Sequence, residues 1–75
     1  MWDVTSIDQN RRRLTNRTGA AVESVSVKTT QTQNIVAQCE RLEEGNSLVF
    51  EVRPLTKLVV LWTDIASDET RVHLL

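Results

Sequence analysis

Apolar and polar residues alternate along most of this chain, and the densest apolar stretch, Ser47 to Thr63 (SLVFEVRPLTKLVVLWT), is interrupted once, at Pro54. Before the proline, Leu48, Phe50 and Val52 alternate with Val49, Glu51 and Arg53, a period of two that puts three large side chains on one face of a strand. Proline cannot donate to a ladder and its ring fixes φ, so the strand ends there and Arg53 is held extended. Lys57 to Thr63 (KLVVLWT) is apolar at five consecutive positions, too short for an isolated helix, and reads as a second strand. A three-residue connection joins the two as a hairpin in which Val52 faces Leu58, Phe50 faces Val60 and Leu48 faces Trp62. An arch between two sheets is the alternative connection, and a one-residue change in loop length reverses which of Leu61 and Trp62 points inward. Those six side chains contribute on the order of 10–15 kcal/mol gross, against roughly 1–2 kcal/mol per residue of backbone ordering, so the pair needs a second layer over its apolar face.

The rest of the chain continues the pattern. Met1 to Asn10 carries Trp2, Val4 and Ile7 among polar residues, enough for a short edge strand or a segment lying over the core. As a terminal segment it can fray, so Trp2 is expected to matter less than Trp62, the presumed centre of the core. Arg11 to Thr15 (RRRLT) is a strand that ends at Asn16-Arg17-Thr18-Gly19, read as a hairpin turn in which Gly19 permits positive φ and Asn16 closes a side-chain turn. In Ala20 to Thr29, Val25 and Val27 are in phase and Val22 is out by one, so a β-bulge near Glu23-Ser24 brings all three to one face. Thr30 to Asn34 is a polar loop. From Asn34 to Arg41, Ile35, Ala37 and Cys39 alternate against Val36, Gln38 and Glu40, a strand with Cys39 inward; a helix is the competing reading, because Ile35, Cys39 and Leu42 also have helical spacing and Gly45 suits a helix stop. Glu43-Glu44-Gly45-Asn46 is a turn, Asp64 to Glu69 a polar loop, and Thr70 to Leu75 (TRVHLL) a last strand with Val72 and Leu74 alternating against Arg71 and His73.

Six or seven short strands with turn signals between them predict an all-β fold, a small antiparallel β-sandwich, with a small open β-barrel as alternative. The order of elements resembles that of an immunoglobulin-like sandwich, without a motif that names a family. Seventy-five residues make a single domain, 1–75, with room for one modest core. Nine basic against ten acidic residues leave a net charge of −1, which gives no long-range attraction to nucleic acid or to an anionic membrane. One cysteine cannot form an intramolecular disulfide, and no stretch reaches the length of a membrane span, so the expected location is cytoplasmic, away from membranes.

Candidate chemistry is sparse. His73 is the only histidine and Cys39 the only cysteine, too few for a zinc site and a thin basis for a nucleophile and its base. Gly19 and Gly45 are the only glycines, so there is no phosphate-binding loop, and no cofactor is expected. Asp64, Asp68 and Glu69, with Asp3 or Glu44 nearby, offer oxygens to a hard cation only if the fold gathers them; a solvated loop is the plainer reading. Asn16-Arg17-Thr18 matches the N-glycosylation pattern, common by chance. Arg11, Arg12, Arg13 and Arg17 gather around one strand and turn, where with Trp2 they suit a single-stranded nucleic acid; charge protecting a sheet edge is the plainer reading. If Phe50, Val60 and Trp62 fill the core, then Val49, Val59 and Leu61 fall on the opposite face, where either the N-terminal segment or a partner covers them. The expected function is therefore that of a non-enzymatic module binding another protein, or itself, through a sheet face or edge strand, with a nucleic-acid-binding β domain using the arginines as the alternative.

Overall fold

The computed structural model describes all 75 residues as seven strands and no helix. The strands are β1 (Trp2–Ser6), β2 (Arg11–Asn16), β3 (Val22–Thr29), β4 (Ile35–Leu42), β5 (Ser47–Glu51), β6 (Leu58–Asp64) and β7 (Glu69–Leu74). They form two antiparallel sheets, one in the order β1-β2-β5 and one in the order β4-β3-β6-β7, packed face to face as a small sandwich. Residues 35–42 are a strand, and the helical spacing of Ile35, Cys39 and Leu42 is incidental.

The core is made by the inward residues of both sheets: Trp2, Leu14 and Phe50 from the smaller sheet, and Val22, Val25, Val27, Leu42, Leu58, Val60 and Trp62 from the larger. The bulge in β3 is real. Its register on β6 slips between Glu23 and Ser26, Ser24 sits at φ 51°, and Val22, Val25 and Val27 are all buried as a result.

Two hairpins read from the sequence are crossings between sheets. β5 does not pair with β6. It pairs with β2, setting Leu14 opposite Leu48 and Arg12 opposite Phe50, while β6 lies between β3 and β7. The segment Val52–Lys57 is the arch, and the pairings Val52/Leu58, Phe50/Val60 and Leu48/Trp62 do not form. The faces survive the change, since Phe50, Leu58, Val60 and Trp62 are buried with Leu48 and Val52 packed beside them. β6 spends one side of its backbone on β3 and the other on β7, so a β5–β6 ladder would have to displace one of these pairings. Asn16-Arg17-Thr18-Gly19 likewise opens a crossing, from β2 to β3. The local turn chemistry holds: Thr18 N–H donates to Asn16 Oδ1 at 2.9 Å and Gly19 adopts φ 97°.

Trp2 does not fray. It is 6% exposed, its ring centroid lies 5.3 Å from that of Trp62 in an edge-to-face arrangement, and the chain start is tied down by Arg17 N–H donating to Met1 O and the terminal amine donating to Arg17 O.

Candidate protein-interaction surface

β7 reverses the polarity of the other strands. Residues directly opposite one another in an antiparallel pair share a face. Arg71 lies opposite Trp62 and His73 opposite Val60, so these polar residues are on the core side, whereas Val72 pairs with Leu61 and Leu74 with Val59 on the outside. β7 is the fourth strand of its sheet and only three strands face it, which leaves all six of its residues exposed. Only Leu75, beyond its end, packs against the core. Val72 at 61% and Leu74 at 72% exposure therefore join half-buried Val59 and Leu61 in one apolar surface, with Ser26 and Lys28 of β3 opposite Leu61 and Val59 on its other side. A shallow groove of about 270 Å³ runs over it, from these four residues to Thr29 at the end of β3 and Thr30 and Gln33 in the β3–β4 connection.

The same strand offers free backbone groups. Leu75 N–H donates to Leu58 O at 3.0 Å, which makes Leu58 and Leu75 a hydrogen-bonded pair. Such pairs alternate along an antiparallel ladder, so Val60/His73, Trp62/Arg71 and Asp64/Glu69 are hydrogen-bonded too, and the N–H and C=O groups of Thr70, Val72 and Leu74 point away from β6 to the free edge. Of the other edges, β1 keeps a regular register on β2 but carries only Val4 as an exposed large apolar residue, and β4 and β5 are blunted. The β3–β4 register jumps from Val27/Ala37 to Lys28/Ile35, a bulge at Val36, and β5 runs into Arg53-Pro54. β7 is paired in unbroken register along its length.

The structure divides the patch read from the sequence. Val59 and Leu61 lie together as described, but Val49 is on β5, in the other sheet, opposite Arg13. The N-terminal segment covers neither, because Trp2 is in the core. Val72 and Leu74, which complete the surface, were missed because alternation shows which residues share a face and says nothing about which face is covered.

The four arginines do not form one basic surface either. On β2, Arg11 and Arg13 point outward and Arg12 is on the opposite side, while Arg17 follows the far end of the strand. Arg11 Nε is 2.8 Å from Asp8 Oδ2, and the Asn10 amide together with this guanidinium holds the Asp8 carboxyl below the usual carboxylate range. Arg12 is engaged with the arch, donating to Thr56 O at 3.0 Å and Arg53 O at 3.3 Å.

Elsewhere the groups with chemistry stand apart. Asp64 pairs with Arg71 at 3.3 Å and accepts Ala66 N–H, Glu44 accepts Gly19 N–H at 2.7 Å, and no three His, Cys, Asp or Glu side chains come together as a metal site. Cys39 on β4 and His73 on β7 occupy opposite edges of the larger sheet, three strand spacings or roughly 14 Å apart, beyond any nucleophile–base contact. The largest cleft, about 660 Å³, opens at the end of the sandwich between the β3–β4 connection and the arch, with only Glu51, Arg53 and Lys57 as charged lining. Asn16 is wholly buried and both its amide protons are donated, to Ala20 O and Leu42 O, so the glycosylation pattern has no accessible acceptor in the folded chain. No helix is long and apolar enough to cross a membrane.

Cys39 is half-buried against the core, and burial pushes its thiol above the ordinary value of 9.0, with a backbone hydrogen bond from Arg41 acting the other way. The thiolate is the reactive form. Iodoacetamide at pH 8 is therefore expected to label folded Cys39 about tenfold more slowly than the urea-unfolded chain; equal rates would show that burial does not govern this thiol. Because the raised value favours the protonated thiol in the folded state, its contribution to stability is present below pH 9.0 and is lost as the pH rises through the folded value.

Comparison with protein-family models, with curated proteins and with solved structures finds no match.

Proposed function

We propose that this chain is a non-enzymatic interaction module that binds another protein through the outer face and free edge of β6 and β7. The observation that carries the reading is the reversed polarity of β7, which places Val72 and Leu74 in solvent beside Val59 and Leu61 while the strand's own backbone edge stays unpaired. Apolar side chains next to unpaired ladder groups suit a partner that adds a strand, its backbone supplying hydrogen bonds and its side chains filling the groove. The strand order supports an immunoglobulin-like sandwich. The first, second and fifth strands share a sheet as in constant-type domains, and the fourth has moved beside the third. A cytoplasmic location goes with the single thiol.

Nucleic-acid binding has less support, since Arg11 and Arg12 are engaged with Asp8 and the arch and Arg12 lies on the opposite side of β2 from Arg11 and Arg13.

The test is retention of a partner from extract of the source cell by the immobilised chain. Leu61→Lys and Leu74→Lys are expected to reduce retention at least about tenfold, as burying an unpaired charge in an apolar contact must, whereas Val49→Lys on the other sheet leaves it unchanged. Circular dichroism checks that each variant is folded. Equal retention by all four proteins would place the binding surface elsewhere.

A further inference from the structure

We infer that the free edge of β7 pairs with β7 of a second copy of this chain, in a two-fold antiparallel register centred on Val72. This rests on the reading of β6 and β7 as the interaction surface and names the partner. A two-fold pairing sets one residue opposite itself. Centred on Val72, it places Thr70 opposite Leu74 of the second copy, Val72 opposite Val72, and Leu74 opposite Thr70. These are the three residues whose N–H and C=O groups face the free edge, so every one of those groups finds a partner in three hydrogen-bonded pairs. Centring on Arg71 or His73 uses only two such pairs, and the first of these sets Arg71 directly against Arg71.

The side chains agree with the same centre. On the outer face Val72 meets Val72, and the two apolar surfaces merge across the axis into one band on an eight-stranded sheet. On the other face the directly opposed pair is Arg71 and His73 of the second copy, two basic side chains, and Glu69 lies diagonal to that histidine, within reach of it across the axis. Arg71 is a charge on the core side of an edge strand, a feature that ordinarily deters pairing. Here Asp64 and Glu69 of its own hairpin, at 3.3 and 3.7 Å, already balance it. A net charge of −1 adds little repulsion between copies. Edge-to-edge contact buries limited area, so the expected dissociation constant is on the order of 10–100 µM.

Sedimentation velocity from about 10 µM to about 1 mM protein, a range spanning that constant, is expected to show the mass rising from 8.5 kDa towards twice that value. Over the same range, hydrogen exchange read residue by residue is expected to slow at Thr70, Val72 and Leu74, with Arg71 and His73, already bonded to β6, unchanged. Val72→Pro removes an N–H that the monomer does not use and is tolerated at an edge, so it is expected to weaken pairing at least about tenfold with the fold retained. Val72→Lys, which opposes two charges across the axis on an exposed face, is the second variant should the proline disturb the strand, and it is expected to do the same. A chain that stays monomeric at the highest concentration, or a dimer that both variants leave intact, overturns the inference. The two readings part at one point: a monomeric chain that still retains a partner in a Leu74-dependent manner removes the self-pairing alone, and a monomeric chain that retains nothing removes both.

Discussion

Trp62→Ala is expected to leave the protein largely unfolded at room temperature, and Trp2→Ala to be nearly as damaging. Each indole is buried, each supplies part of the other's contact, and together they join the two sheets, one from β1 and one from β6. Truncating a buried tryptophan costs about 3–5 kcal/mol. A chain of 75 residues at about 0.05–0.15 kcal/mol each has roughly 4–11 kcal/mol in all. Because the rings touch, the double variant should lose less than the sum of the singles. Trp2 Nε1 is buried and has no hydrogen-bond partner in the protein. Trp2→Phe discards that unpaired donor and keeps an aromatic ring against Trp62, so it is expected to lose much less than Trp2→Ala. Urea titrations of the four variants measure all of this. A loss under about 1 kcal/mol for Trp2→Ala, the size expected at a surface position, would mean that β1 frays after all. A Leu61→Ala more damaging than Trp62→Ala would mean that β6 is turned the other way.

Asn16→Ala is expected to lose about 3 kcal/mol or more, an unusual amount for a polar side chain. Asn16 is wholly buried at one end of the sandwich, where its backbone N–H donates to Asn46 O at 2.9 Å and its carbonyl accepts Gly45 N–H at 2.8 Å. Its side chain donates to Ala20 O at 2.9 Å and Leu42 O at 3.0 Å, and accepts from the Thr18 amide and hydroxyl. One residue thus ties β2 to the β2–β3 crossing, the end of β4 and the β4–β5 turn. Alanine leaves the Leu42 carbonyl without its buried donor and the Thr18 amide without its acceptor, while Ala20 O keeps the Thr18 hydroxyl, and each such loss costs about 1–3 kcal/mol. Asn16→Asp should be worse, because a carboxylate cannot donate to the Ala20 and Leu42 carbonyls and adds a buried charge. Urea midpoints decide it: an Asp variant as stable as the native chain would show that water, and not these carbonyls, satisfies the site.

Much of this fold was legible from residue order, because a strand's two faces and a turn's backbone are local matters. Alternation placed Phe50, Val60 and Trp62 on the buried side, the mismatched phase of Val22 announced the bulge at Ser24, and Gly19 and Gly45 mark backbone at φ 97° and 83°. Pro54 marked a break in the apolar run, although β5 ends at Glu51, three residues before it. Partner choice between strands was not legible, since ladder groups are the same in every residue: β5 and β6 look like a hairpin, yet the segment from Val52 to Lys57 instead crosses from one sheet to the other. Burial of Trp2 depended on Trp62, sixty residues away in the chain.

The candidate surface depended on tertiary structure most of all. The sequence alone determined that Val72 and Leu74 share one face of a strand and Arg71 and His73 the other. Which of these faces is covered depends on the width of the opposing sheet. Three strands lie over four, β7 extends past them, and apolar residues that residue order assigns to a common face end in solvent, where they complete the surface begun by Val59 and Leu61.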